Sequence, residues 1–180
     1  MRHDFWVFAY GSLIWHPGFA FDERRPALLR DWRRAFCMTS IVYRGTPEAP
    51  GLVLALDRAP GTCCHGIAYH VPAPDAAETL AALRERELVS NAYDEALVAL
   101  DTAAGPVEAL AYVSNRAHPQ YRGGLTPEQQ AEVIARAVGP RGPNADYLLN
   151  TVDSLVALGL EDPELVALAA MVQARLAARR

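Results

Sequence analysis

Phe5-Trp6-Val7-Phe8-Ala9 runs without a polar break into Tyr10-Gly11-Ser12-Leu13, and no other stretch constrains the fold as strongly. Five consecutive apolar residues, rich in aromatic and β-branched types, suit a strand covered on both faces, and Gly11-Ser12 then marks a tight turn. At such a turn successive N–H groups can converge on one hollow. The missing side chain at Gly11 lets an anionic group approach them closely. On these residues alone two readings stand: a carboxylate cradle, or a turn that simply ends a core strand.

The chain has 180 residues and 51% hydrophobic content, enough for one well-buried core. A single domain over residues 1–180 is therefore expected. The formal net charge is -4, and the 17 basic residues are scattered arginines with no basic block between aromatics, so no nucleic-acid partner is expected. Met1-Arg2-His3-Asp4 precedes an apolar run too short for a signal peptide, and no stretch approaches the roughly 20 apolar residues that span a bilayer. The expectation is a soluble, cytoplasmic protein without membrane contact and without an obligate protein partner. Cys37, Cys63 and Cys64 are odd in number, and strand geometry turns the last two to opposite faces, so no structural disulfide is expected.

Along the chain, Phe21 to Pro26 reads as a solvated link and Trp32 to Val42 as a strand covered on both faces. A loop dense in proline and glycine, Tyr43 to Gly51, precedes a strand at Leu52 to Leu56. Ala59-Pro60-Gly61 then predicts a turn before another strand at Cys63 to Val71. A helix is expected from Asp75, capped by Asp75 with Glu78 completing a capping box, to about Glu87 or Leu88. Glu95 to Asp101 and Val107 to Ser114 flank Thr102-Ala103-Ala104-Gly105-Pro106 as a hairpin.

The strand count reaches about six. Short strands joined by turns favour an α+β fold built on a small, mostly antiparallel β-barrel with flanking helices. The C-terminal third then reads as three helices packed on the sheet. They open at Thr126-Pro127 with Gln129 as capping-box partner, at Pro143-Asn144, and at Asp162-Pro163. Leu148, Leu149, Val152, Leu155, Val156 and Leu158 form the apolar stripe of the second, which Gly159 ends.

Leu83-Arg84-Glu85-Arg86-Glu87-Leu88 closes the first helix. Glu87 lies four residues after Leu83 and seven after Leu80, so it continues the apolar stripe, whereas Glu85 shares the opposite side with Glu78. An inward carboxylate at the negative end of a helix suits a general base. An ion pair with Arg86 or Arg84 is the alternative use of the same position.

Taken jointly, several stretches resemble one family, the ChaC-type γ-glutamylcyclotransferases that act on glutathione. They are FAYGSLIWHPGF at Phe8 to Phe19, AFCMTSIVYRGTPEAPGLVLALD at Ala35 to Asp57, RELVSNAY at Arg86 to Tyr93, ALAYVSNRAHPQY at Ala109 to Tyr121, and GPNADYLLNTVDSLVALGLEDPEL at Gly142 to Leu165. The resemblance covers almost the whole chain and implies the family's small β-barrel with flanking helices. It implies that the turn and its flanks, Ala9, Tyr10, Gly11, Ser12, Leu13 and Ile14, hold the γ-glutamyl group, with Tyr93 and Tyr121 hydrogen-bonding from the opposite wall. It names Glu87 as the catalytic base. Two departures stand out: Ala9 occupies a position where the family often has glycine, and Asp94-Glu95-Ala96 lacks the proline, arginine and tryptophan common in bacterial members.

The reaction so implied converts glutathione to 5-oxoproline and cysteinylglycine by intramolecular attack, and it requires neither metal nor cofactor. Cys63-Cys64-His65 has no second ligand pair at zinc spacing. Ser12 lacks the Gly-x-Ser-x-Gly elbow of a nucleophilic serine. Tyr69, Tyr112 and Tyr147 read as core aromatics. Cyclisation of other γ-glutamyl amines or dipeptides, a non-catalytic small-acid binding module, and a helical interaction scaffold are the competing functions.

Overall fold

β1 (Phe5–Ala9) occupies the five predicted residues, and its last three are buried. The computed structural model describes residues 3–160 and 162–179. β1 pairs antiparallel with β3 (Gly51–Val71), with Phe5 opposite Val71 and Ala9 opposite Ile67, and lies parallel to β5 (Val107–Ser114) at Trp6 and Val7. With β2 (Glu23–Ser40) and β4 (Tyr93–Thr102), these strands close a barrel in the order β1-β3-β2-β4-β5. The predicted hairpin is present, with β4 antiparallel to β5 from Tyr93 opposite Ser114 to Leu100 opposite Val107. Closure comes through parallel contacts of β5, including Leu56 on β3 opposite Val113. The barrel therefore has no edge strand for another chain to extend.

Three expectations about the strands need correction. The barrel has five strands where the pattern suggested about six, because Leu52–Leu56 and Cys63–Val71 belong to the single strand β3. Ala59-Pro60-Gly61 bends that strand without reversing it. Gly61 takes φ 81° and donates its amide to Asp31 Oδ1 of β2 at 2.9 Å, while Asp31 itself takes φ 63°, so the two strands are tied together at the bend. Finally, β2 begins at Glu23 inside the supposed link. Its first residues are exposed and charged, so they carry no alternating pattern although the backbone is extended.

Helix α1 spans Ala76–Glu87 and buries Ala76, Thr79 and Leu83. The Asp75 capping box is absent: Asp75 already has helical dihedrals and its side chain makes no capping bond. A capping side chain needs an extended backbone to fold back on the first turn, and the Pro72 carbonyl accepting the Asp75 amide at 3.0 Å prevents that. Thr126 and Gln129 do form their predicted box at the start of α2 (Pro127–Arg136). After the short pair β6 (Val138–Gly139) and β7 (Gly142–Pro143), α3 runs Asn144–Ala157 and α4 runs Pro163–Ala177. Gly159, at φ 67°, ends α3 with its amide on the Val156 carbonyl and the Leu160 amide on Leu155.

Contacts group the chain into two compact units, Met1–Arg34 with Ala55–Pro119 and Ala35–Leu54 with Gln120–Arg180. Inside the second, the three helices pack on one another, α4 against both α2 and α3. α3 reaches the strands through Tyr147 stacked edge-on against Phe36 and through Asn144, whose fully buried amide bonds both the N–H and the carbonyl of Leu52 at 2.7 Å. Val156, counted in the predicted stripe, is instead exposed, while Asn144, Tyr147 and Thr151 take up buried positions. No helix among the described residues is long and apolar enough to cross a membrane.

Candidate active site

The Tyr10–Ile14 turn leaves β1 and closes at once, with the Ile14 amide on the Gly11 carbonyl at 2.9 Å and the His16 amide on Ser12 at 2.8 Å. Among the described residues, no backbone hydrogen bond donated by the amides of Gly11, Ser12 or Leu13 is seen within the turn, so these amides are candidates to meet an anion. Four side chains pin this loop. The Tyr10 hydroxyl donates to the Tyr112 carbonyl at 2.7 Å, and the Tyr69 hydroxyl to the Ile14 carbonyl at 3.2 Å. Arg34 donates to the Tyr10 carbonyl at 2.9 Å and to the His65 carbonyl.

The fourth is Arg86, near the end of α1. Its Nη2 donates to Ser12 Oγ at 3.0 Å, and its Nη1 to the carbonyls of His16 at 2.7 Å and Pro17 at 3.2 Å. Its Nε lies 3.2 Å from Glu87 Oε1, so one guanidinium touches both the turn and the candidate base. The Glu87 side chain is 19% exposed, and Glu85 faces solvent, as the helical register predicted. Both readings of Glu87 thus meet: it points inward, and it also pairs with Arg86.

Arg84 turns to a different carboxylate. It forks onto Glu95 of β4, Nε and Nη2 each 2.8 Å from a carboxylate oxygen. Glu95 also accepts from the Tyr112 hydroxyl at 3.1 Å. The bond from Arg84 holds the Glu95 pKa below the ordinary carboxylate value. Burial, then the charge and hydrogen bond of Glu95, pushes Tyr112 far above the usual phenol value, with a further contribution from Glu87. Tyr112 therefore stays a neutral donor.

The remaining predicted residues fall as follows. Ala9 is fully buried at the end of β1, and Tyr93 opens β4, half-buried. Tyr121 belongs to the second compact unit, where it bridges to Met38. That unit also holds a cavity of about 560 Å³ whose lining includes Thr39, Glu48, Leu52, Arg122, Leu125 and Arg136. None of the predicted site residues lines it. Cys63 is exposed and Cys64 buried, as strand alternation required, and no disulfide joins cysteines among the described residues.

Residues 5–175 match the family described as ChaC-like protein. The chain belongs to that family. Among its relatives is a protein of Escherichia coli (strain K12) named glutathione-specific gamma-glutamylcyclotransferase, 36% identical over 158 residues that cover 87% of this chain and 68% of the relative. An Arabidopsis thaliana protein named gamma-glutamylcyclotransferase 2-3 is 35% identical over 177 residues, covering 93% and 88%. The crystal structure of a yeast gamma-glutamyl cyclotransferase specific to glutathione superposes with a TM-score of 0.85 at 25% identity, covering 96% of this chain and 99% of that one. This ChaC-like chain thus has the barrel and helices that its sequence implied.

Sequence reasoning missed the two arginines of α1 as organisers of the site. Their alternation with Glu85 and Glu87 was visible, but which partner each would take depends on Ser12 and Glu95, residues 74 and 11 positions away.

Proposed function

We propose that this ChaC-like chain is a γ-glutamylcyclotransferase that acts on glutathione, with Glu87 as general base and acid. The observation that carries the proposal is the half-buried Glu87 carboxylate, linked through Arg86 to the turn that carries the Gly11, Ser12 and Leu13 amides. The names of the Escherichia coli and yeast relatives support the substrate.

In the proposed step the α-amine nitrogen of the γ-glutamyl group attacks its own γ-carbonyl carbon, closing a five-membered ring. The C–N bond to cysteinylglycine then breaks. The attacking nitrogen sheds two protons in becoming a lactam N–H, and the departing nitrogen takes up two in becoming an ammonium, so a single carboxylate that shuttles them ends as it began. No electrons are transferred, and no metal enters the balance. Nucleophile and electrophile share one molecule, so the main demand on the protein is to hold the substrate folded. The amides of Gly11, Ser12 and Leu13 suit the substrate carboxylate or the oxyanion, and Tyr93 suits a hydrogen bond from β4.

The test is incubation with glutathione, following 5-oxoproline and cysteinylglycine together. Equimolar release supports the proposal; saturable glutathione binding without either product would leave only a binding module. The alternative reading is a cyclotransferase that acts on other γ-glutamyl amines or dipeptides. Comparing kcat/KM for glutathione with that for other γ-glutamyl dipeptides separates the two.

A further inference from the structure

Every nitrogen of the Arg86 guanidinium has a partner in or beside the candidate site. Nε faces Glu87, Nη1 holds the carbonyls of His16 and Pro17, and Nη2 holds Ser12 Oγ. The base and the turn come from segments some 70 residues apart, and this side chain touches both. At 17% and 19% side-chain exposure, the Arg86–Glu87 pair is partly withdrawn from water and weakly screened.

Resting on the cyclotransferase reading, we propose that Arg86 is a positioning residue: its fork sets the distance between the Glu87 carboxylate and the Tyr10–Ile14 turn, and its charge holds Glu87 ready as a base. A planar fork is required because three directions are used at once. A lysine ammonium could keep the charge but could not span Ser12, the two carbonyls and Glu87 together. The position is also favourable, since a cation near the C-terminal end of α1 faces the negative end of the helix dipole. Among the interactions seen for Glu87, Tyr112 on β5 is also electrostatically coupled to it, and the neighbouring cation Arg84 on α1 is engaged by Glu95 on β4. Arg84 and Glu95 neutralise each other, and Tyr112 stays protonated. Arg86, at 3.2 Å, supplies a counter-charge to the base.

The test compares wild type, Arg86→Lys and Arg86→Gln by 5-oxoproline release from glutathione across pH, alongside thermal unfolding. Arg86→Gln should lose roughly 10- to 100-fold in kcat, because a misplaced base costs on this scale, with a much smaller change in KM. The acid limb of its kcat/KM profile should move to higher pH, because a carboxylate without its counter-charge takes up a proton more readily. Arg86→Lys should keep the acid limb in place yet recover only part of kcat. It also provides a folded comparison should the glutamine variant fail to fold. An unmoved acid limb in Arg86→Gln, or full kcat in either variant, would overturn the positioning role while the cyclotransferase reading stands. A wild-type protein that releases no 5-oxoproline would overturn both.

Discussion

Glu85 and Glu87 lie two residues apart on α1 and meet different surroundings: Glu85 faces solvent, while the Glu87 side chain is 19% exposed and lies 3.2 Å from Arg86. This difference sets the first prediction. Glu87→Gln preserves shape and hydrogen-bonding capacity but cannot accept a proton from the substrate ammonium near neutral pH. Turnover of glutathione should fall by about 10²- to 10⁴-fold, toward the upper end because one group serves both proton transfers. Glu85→Gln should remain nearly as active as wild type. Measuring 5-oxoproline release and glutathione affinity for both variants checks this, and an active Glu87→Gln protein would assign the base elsewhere.

What the sequence revealed and what it hid follow from how local each signal is. β1, the β4–β5 hairpin, the Thr126 cap and the Gly159 stop all rest on residues within a few positions of one another, and each appears as read. The inward turn of Glu87 is equally local, a matter of helical register. The errors occur where long-range partners decide. Ala59-Pro60-Gly61 has turn chemistry, but Asp31 captures the Gly61 amide and makes it a bend within a strand. The Glu23 end of β2 lacks hydrophobic alternation because its side chains are solvated; pairing with β4 at Ala27 to Leu29 secures the strand just beyond. Asn144, read only as the start of a helix, proves to be a buried partner for the Leu52 backbone, 92 residues away.

Glu95 occupies the stretch where the chain departs from the bacterial pattern, and it joins Arg84 to Tyr112. Its pKa is lowered in the folded protein, mainly by the Arg84 bond. A depressed carboxylate stabilises the fold above its unfolded value, near 4.3, and that contribution disappears as pH falls through the folded value. Glu95→Gln should therefore cost about 1 kcal/mol near neutral pH, a modest figure because Arg84 is half exposed, and the cost should shrink in acid. Denaturant unfolding of both proteins at several pH values measures it.

Neither thiol on β3 has a part in the proposed proton transfers, so both serine variants should still release 5-oxoproline. Their stabilities should differ. Cys63 is exposed, and Cys63→Ser should be neutral within about 0.5 kcal/mol. Cys64 is 2% exposed, and placing a hydroxyl there should cost roughly 1–3 kcal/mol. Melting curves paired with the activity assay distinguish a stability loss from a catalytic one, and inactivation of folded Cys63→Ser would make that thiol functional.

His70 bridges two acids, its Nδ1 2.6 Å from Asp22 and its Nε2 3.0 Å from Asp4. Both ring nitrogens can donate only when the ring is protonated. Burial pulls the His70 pKa down, but the hydrogen bonds to Asp22 and Asp4 outweigh it, and the net shift is upward. A raised histidine contributes stability that is fully present below its unfolded value, about 6.5, and is lost as pH rises through the folded value. The same bond lowers the pKa of Asp4, so the bridge also weakens in strong acid, when that carboxylate is protonated. His70→Gln removes the titration while leaving a side chain of similar reach. The gap in melting temperature between wild type and His70→Gln should be widest at mildly acidic pH and should close as pH rises above the histidine range. Because Asp4 and Asp22 are 62% and 55% exposed, added salt should narrow the gap at its widest point. A gap that stayed constant with pH would mean that His70 contributes by packing against Trp6, whose ring centroid lies 4.9 Å away, and not through its charge.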